Sequence, residues 1–168
     1  REHTTIDSTW NTVTIGGGGY VTGLVQSATT AYARTDVGGA WRLPFRGSGN
    51  TSSTWTQLLT SFPPAMRNLY SVESIAVEGD VMYLAVGDGF RLPSAILRSN
   101  DSGASWSDPT YVVPMAGNGN DRWCGERLAI VPGTNASVVF FASRTHGVLR
   151  RNGSSKWTPL ATLPTLAD

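Results

Sequence analysis

The chain is poor in lysine, methionine and cysteine, and it has no long apolar run. Its 168 residues include one lysine, three methionines and one cysteine. Because no stretch is rich in alanine, glutamate, lysine and leucine, the composition argues against a helical bundle or a coiled coil. No apolar run approaches the ~20 residues of a membrane-spanning helix. The single cysteine, Cys124, excludes a disulfide framework, so core packing has to stabilise the fold.

Charge is also sparse, and this limits the partners to be expected. Charged residues make up 15% of the chain and the formal net charge is +1, which provides no general field for nucleic acid or a membrane surface. We expect neither of these as a partner, and no cofactor or metal. What is abundant is glycine, with 19 residues, and serine plus threonine, with 36. With 40% hydrophobic residues and six tryptophans, the composition favours a folded all-β chain.

Four Asn-x-Ser/Thr sequons bear on localisation, and they begin at Asn50, Asn100, Asn135 and Asn152. Composition alone would give about two. The excess favours a secreted, extracellular glycoprotein, although turns rich in serine and threonine also create unmodified sequons. The chain opens at Arg1 instead of a methionine, which favours a mature or trimmed product.

Three tryptophans recur at one interval, at Trp55, Trp106 and Trp157, each 51 residues after the one before. Short apolar runs, rich in valine, isoleucine, threonine and aromatics and bounded by turn residues, lie before each of them. Four short strands in a unit of ~50 residues are typical of a β-propeller blade. The sequence therefore predicts an all-β fold of about three four-stranded blades within one partial propeller domain, 1–168. The predicted units span roughly 10–60, 70–110 and 123–160.

Residues 99–106 match the Asp-box pattern of propeller hairpins at every defined position. In this motif Ser99 begins the turn, Asp101 accepts backbone N–H groups across it, Gly103 supplies a positive φ, and Trp106 packs under the hairpin. We therefore predict structural roles for these four residues. Because the motif occurs in propellers of unrelated function, it predicts fold and not activity.

Two glycine-rich stretches, 15–23 and 32–42, are too unusual to be ordinary strands. The first contains four consecutive glycines, which cost ~0.5–1 kcal/mol each relative to alanine in ordering entropy. This cost is tolerated where the backbone turns sharply or approaches a ligand closely. A phosphate-binding loop would need a following helix and a Lys-Ser/Thr pair, and neither is present. In the second stretch, Asp36 is expected on the loop between a second and a third strand.

Five segments in this order resemble glycoside hydrolase family 74: 16–23, 32–42, 72–77, 99–106 and 115–129. That family contains endo-xyloglucanases and reducing-end-specific oligoxyloglucan hydrolases. The resemblance implies two facing seven-bladed propellers that hydrolyse the β-1,4-glucan backbone of xyloglucan with inversion, this chain being the N-terminal part. It assigns the general base to Asp36, in the motif Ala-Arg-Thr-Asp-Val-Gly-Gly-Ala, and the acid to the other propeller. Inversion requires two carboxylates about 6.5–9.5 Å apart, with water between them.

The same resemblance leads to candidate residues for binding xyloglucan or a related β-glucan. Aromatic rings near the glycine-rich turns could stack on sugars or could equally be packing residues between blades. A cation near Asp36 would keep the base ionised. The predicted substrate-binding residues are Tyr20, Arg34, Trp41, Arg122 and Trp123. By contrast, Glu126 and Arg127 are expected to form a structural pair at the start of a strand.

The length is the main departure from the family pattern. Three units amount to about half of one seven-bladed ring. We therefore expect a partner, either the remainder of the enzyme with the second catalytic aspartate or further copies that close the ring, and we expect this piece to be inactive alone. The alternative is a truncated, non-catalytic glycan-binding propeller protein in which Asp36 hydrogen-bonds a sugar. A sorting-receptor-like propeller would explain the Asp-box but not the motif around Asp36.

Overall fold

The fold is built from twelve strands in the part of the chain that the computed structural model describes, and they form three antiparallel sheets of four strands each. The described residues are 15–45, 54–62, 68–89, 94–107, 111–117, 119, 125–133, 136–143 and 146–161. The predicted all-β fold of about three four-stranded blades is confirmed. No helix among these residues has the length and apolar character needed to cross a bilayer.

Each blade is a meander in which neighbouring strands follow one another in sequence. The first blade consists of β1 (Val21–Gln26), β2 (Thr30–Thr35), β3 (Ala40–Pro44) and β4 (Thr56–Gln57). The second consists of β5 (Val72–Glu78), β6 (Val81–Val86), β7 (Ala95–Ser99) and β8 (Tyr111–Val112). The third consists of β9 (Leu128–Val131), β10 (Val138–Ser143), β11 (Gly147–Asn152) and β12 (Thr158–Ala161).

The second blade is buried on both faces because its side chains alternate between two cores. Ile75, Leu84 and Leu97 form one cross-strand row, and this row belongs to the core shared with the first blade. The adjacent pair, Ala76 and Tyr83, belongs to the core shared with the third blade. Because each large apolar side chain contributes ~1.5–3 kcal/mol on burial, the two interfaces between blades stabilise the stack.

The first two blades repeat the same irregularity at the start of their first strands. The pairing of β1 with β2 shifts register between Val21 and Gly23, and the pairing of β5 with β6 shifts between Val72 and Ser74. β1, β5 and β9 begin at one edge of the sheets, and β2, β6 and β10 end at the same edge. We call this edge the loop edge. It lies at the end of the sheets opposite the β5–β6 turn.

The Asp-box forms a closed turn between β7 and β8, near the β5–β6 turn. Asp101 Oδ1 accepts the Ser105 N–H at 2.9 Å and the Ser99 hydroxyl at 2.6 Å. The Ser105 hydroxyl donates to Oδ2 at 2.5 Å, and Gly103 has a φ of 85°. These bonds favour the carboxylate form, with the Ser105 hydroxyl as the largest cause, and lower the pKa of Asp101 to about 2.

Trp106, which ends the Asp-box, connects two blades. Its indole N–H donates to the carbonyl of Leu58 in the first blade at 2.8 Å, and its ring packs against the core between the first and second blades. A side chain at Gly103 would also press on Leu58. The turn therefore lies directly against the neighbouring blade.

Candidate functional site

The two glycine-rich stretches meet at the carboxylate of Asp36, on the loop between β2 and β3. Asp36 Oδ1 accepts the Tyr20 N–H at 2.7 Å, and the Asp36 N–H donates to the Tyr20 carbonyl at 3.1 Å. Asp36 is 8% exposed, whereas the neighbouring Tyr20 is 62% exposed. The backbone of one stretch therefore fixes the orientation of the only aspartate in the other.

Glycine at two positions allows this close approach. Gly19 has a φ of +107°, and a Cβ there would lie 2.9 Å from Asp36 Oδ1. A Cβ on Gly38 would overlap the Gly18 carbonyl. Side chains at these positions would push the two stretches apart, so both glycines are needed for the geometry around the carboxylate.

The loop that carries Asp36 is closed by its own hydrogen bonds and tied to the second blade. Thr35 N–H donates to the Gly39 carbonyl at 3.0 Å and the Thr35 hydroxyl donates to the same oxygen at 2.9 Å. The Gly38 N–H donates to the Thr35 hydroxyl at 2.8 Å. The Gly39 N–H donates across the blade interface to the backbone carbonyl of Tyr70 at 2.7 Å. The loop backbone is therefore fixed both by its own hydrogen bonds and by the neighbouring blade.

Trp41 lies beneath this arrangement. It is 8% exposed, and its indole N–H donates to the Gly38 carbonyl at 3.0 Å, as does the Gln57 side-chain amide. A side chain at Gly17 would overlap the indole ring. Trp41 therefore supports the glycine-rich loop from below; its predicted contact with a sugar stays a prediction, as does that of the exposed Tyr20.

Arg34, two residues before Asp36, is buried in an ion pair between blades. The side chain is 1% exposed, and its Nε donates to Glu126 Oε1 at 2.5 Å. Nη1 donates to the Thr22 hydroxyl at 2.9 Å and to the Val72 carbonyl at 3.4 Å. The described contacts of Arg34 give it a structural role, and its predicted contact with substrate stays untested.

Glu126 connects the third blade to both of the others. Its Oε2 accepts the Ser74 hydroxyl at 2.7 Å and the Ile75 N–H at 2.7 Å, both in the second blade. The Ser74 hydroxyl oxygen in turn accepts the N–H groups of Arg127 and Leu128, at 2.8 and 2.9 Å. A side chain at Gly23 would overlap this carboxylate and the guanidinium, which explains the last glycine of the first stretch.

The expected pairing of Glu126 with Arg127 is wrong. Arg127 Nε lies 3.2 Å from Glu73 Oε1 of the second blade, while Glu126 binds Arg34 of the first. Neighbouring residues in extended backbone project to opposite sides, so the two side chains reach different charged partners. Sequence reasoning missed this network because the bonded pair Arg34 and Glu126 is 92 residues apart in the chain.

The corresponding loop of the second blade shows what is particular to the first. The Gly87 N–H donates to Ser71 at 2.8 Å, in the same way as Asp36 N–H donates to Tyr20, 51 residues earlier. The second blade thus repeats the backbone contact but has a glycine where the first has a carboxylate. A carboxylate oriented at a loop edge beside an exposed aromatic can accept a proton from water or hydrogen-bond a sugar hydroxyl. Arg122 and Trp123 lie outside the described residues.

Comparisons of sequence identify xyloglucanases as relatives, while no protein-family model matches the chain. Xyloglucanase Xgh74A of Acetivibrio thermocellus is 36% identical over 160 residues, which are 89% of this chain and 18% of that protein. A xyloglucanase of Hypocrea jecorina is 34% identical over 148 residues, 81% of this chain and 17% of that protein. An oligoxyloglucan-reducing end-specific xyloglucanase of Emericella nidulans is 31% identical over 163 residues, 92% and 19% of the two chains.

The fold is also similar to a solved enzyme. The crystal structure of the GH74 xyloglucanase from Xanthomonas campestris matches with a TM-score of 0.70 and 33% identity. The match covers 93% of this chain and 23% of that one. The chain therefore spans about a fifth of the length of the relatives it matches.

Proposed function

Because the chain is related in sequence and fold to the xyloglucanases of glycoside hydrolase family 74, we propose that it is part of a secreted inverting enzyme that cleaves the β-1,4-glucan backbone of xyloglucan. In this proposal the chain is the N-terminal part and supplies the general base. The relatives are several times longer than this chain. The remainder of the enzyme would supply the general acid, and this piece would be inactive alone.

The observation that carries the proposal is the fixed orientation of the Asp36 carboxylate. One carboxylate oxygen accepts the Tyr20 N–H at 2.7 Å, and two glycine-rich segments are shaped so that they can meet there. An inverting glycosidase uses such a carboxylate to take a proton from the water that attacks the anomeric carbon, while an acid on the far side protonates the leaving oxygen. A fixed orientation serves this role because the proton acceptor must lie within hydrogen-bond reach of the water.

Tyr20 is the proposed sugar platform. Its ring is exposed, whereas its backbone is bonded to Asp36 in both directions. A pyranose ring stacked on this tyrosine would therefore lie close to the carboxylate. Stacking through an apolar face, with a phenol hydroxyl at the rim, suits a ligand that is neutral and rich in hydroxyl groups.

Secretion is supported by the position of two sequons. Asn100 and Asn152 are both exposed, as N-glycosylation requires, while Asn50 and Asn135 lie outside the described residues. If the protein is a secreted glycoprotein, peptide-N-glycosidase treatment of material from the native culture medium will lower its mass. An unchanged mass would remove this support.

The experiment compares Asp36→Asn with a matched Asp80→Asn variant in the longer gene product that contains this chain. Asp80 lies in the β5–β6 turn, away from the loop edge. Release of reducing ends from xyloglucan should fall about 10²–10⁴-fold in Asp36→Asn, because a general base typically contributes this factor. It should be unchanged in Asp80→Asn, and the melting temperature should be unchanged in both.

Three outcomes would contradict parts of the proposal. Full activity in Asp36→Asn would exclude its role as the base. Proton NMR of the first product shows the stereochemistry, and an initial β-anomer would exclude inversion. A longer product that binds xyloglucan without cleaving it would favour the alternative, a non-catalytic glycan-binding propeller.

A further inference from the structure

The four consecutive glycines of the first stretch are not equivalent. Side chains at Gly17 and Gly19 would meet Trp41 and Asp36, so packing requires glycine at both. Gly16 has a φ of +80°, which L side chains rarely adopt. Gly18 has neither reason: its φ lies outside the left-handed region, and a Cβ there would meet nothing within 4 Å.

Gly18 nevertheless lies next to the candidate site. Its carbonyl is the atom that a Cβ on Gly38 would overlap, in the loop that carries Asp36. The next residue, Gly19, lies against the Asp36 carboxylate itself. Gly18 is exposed, and its main chain lies next to the loop that carries Asp36.

The fold alone does not account for glycine at this position. Any small residue would fit the open space and would lose less conformational entropy on folding than glycine does. The remaining use of glycine is to let another molecule approach the main chain closely. Gly18 lies one residue before Gly19, which is against Asp36, and two before the exposed Tyr20, so a molecule that approaches the main chain here is close to both residues.

We propose that Gly18 is a specificity-determining position, where a pyranose ring of the glucan backbone lies directly on the exposed main chain of residues 17–19. This inference rests on the proposed function. The glucan is neutral, with hydroxyls that can hydrogen-bond peptide groups and C–H faces that can pack on them. A side chain at Gly18 would occupy the volume of the sugar without disturbing the protein.

The test compares the same substitution at two open glycines on opposite edges. Gly18→Asn adds a side chain at the loop edge, one residue before the glycine that lies against Asp36. Gly79→Asn adds one in the β5–β6 turn, where a Cβ also meets nothing within 4 Å and asparagine tolerates the φ of +56°. Both are made in the longer gene product carrying Asp36→Asn, and calorimetry measures binding of a xyloglucan oligosaccharide of two repeat units. We expect Gly18→Asn to weaken binding about tenfold or more, Gly79→Asn to leave it unchanged, and both to leave the melting temperature unchanged.

The outcomes separate this inference from the proposed function. If the parent binds the oligosaccharide and Gly18→Asn binds it equally well, the inference is overturned and the proposed function stands. If the parent does not bind it, the proposed function fails and takes the inference with it. Should Gly18→Asn lower the melting temperature, Gly18→Ala decides: weaker binding supports the contact, and unchanged binding overturns it.

Discussion

Replacing Glu126 with alanine should destabilise the protein strongly, although this residue precedes a short strand at the loop edge. Its carboxylate accepts hydrogen bonds from Arg34 of the first blade and from Ser74 and Ile75 of the second. The Arg34 side chain is 1% exposed and that of Glu126 is 24% exposed. The substitution therefore removes the Glu126 carboxylate from a desolvated guanidinium and from two hydrogen-bond donors.

The magnitude follows from these contacts. Removing one partner of a buried ion pair typically costs ~3–5 kcal/mol. Arg34 retains its bonds to Thr22 and Val72, and water can reach part of the vacated position, so the lower end applies. We expect about 3 kcal/mol for Glu126→Ala. Glu126→Gln retains one acceptor oxygen and should lose about half of that.

Amide hydrogen exchange is the suitable assay because it gives a local free energy of opening even within a long chain. The amides of β2 and β5 should lose protection in Glu126→Ala by the amount given above. The matched control is Glu78→Ala, which removes a carboxylate that accepts a hydrogen bond from the Ser137 hydroxyl. A neutral donor of this kind contributes about 1 kcal/mol.

A double variant tests the cause. Arg34→Met combined with Glu126→Leu replaces both charges with apolar side chains, which often restores the stability lost when one charge is left alone. We expect the double variant to be more stable than Glu126→Ala. The reasoning is refuted if Glu126→Ala costs no more than Glu78→Ala. It is also refuted if the losses of stability in Arg34→Met and Glu126→Leu, each made alone, simply add up to the loss in the double variant.

Two further outcomes concern the Asp-box and the Asp36 loop. Hydrogen bonds from Ser105 and Ser99 lower the pKa of Asp101 from 3.8 to about 2, so its stabilising contribution is complete above the unfolded pKa and is lost as the pH falls through about 2. Acid unfolding should therefore be steeper in the wild type than in Asp101→Asn, and equal slopes would contradict this. Gly38→Ala should lower the free energy of unfolding by ~1–3 kcal/mol through overpacking, because the new Cβ would overlap the Gly18 carbonyl and lie 3.0 Å from the Thr35 hydroxyl. Thermal melts should show this loss. They should show none for the control Gly125→Ala, because a Cβ at Gly125 meets nothing within 4 Å.

The blades could be predicted from the sequence because their signals are local. The run that begins at Met82 is apolar, rich in residues that favour strands and bounded by turn residues, and it forms most of β6, Val81–Val86. The interval of 51 residues between tryptophans also appears in the backbone, where the contact of Asp36 with Tyr20 recurs between Gly87 and Ser71. Local patterns that repeat predict repeated units well.

The contacts that surround Asp36 could be predicted only in part. Its place on a loop between two strands follows from the order of apolar and glycine-rich segments, and the structure has Asp36 directly after β2. Whether Trp41 is a platform or a packing residue could not be decided, because burial depends on which segment covers the indole. The partner of Arg34 could not be predicted either, since an ion pair across 92 residues depends on how the blades stack.

The ion pair of Arg34 with Glu126 also changes how the blades depend on one another. In most repeat proteins each unit contacts only its neighbours, and stability is close to a sum over adjacent pairs. Here the third blade supplies the counter-ion for an arginine buried in the first, across the start of β5 in the second. Local unfolding of the third blade therefore removes a stabilising contact from β2, the strand that ends directly before Asp36. Cooperativity between units that are not adjacent makes the geometry of one loop sensitive to substitutions two blades away.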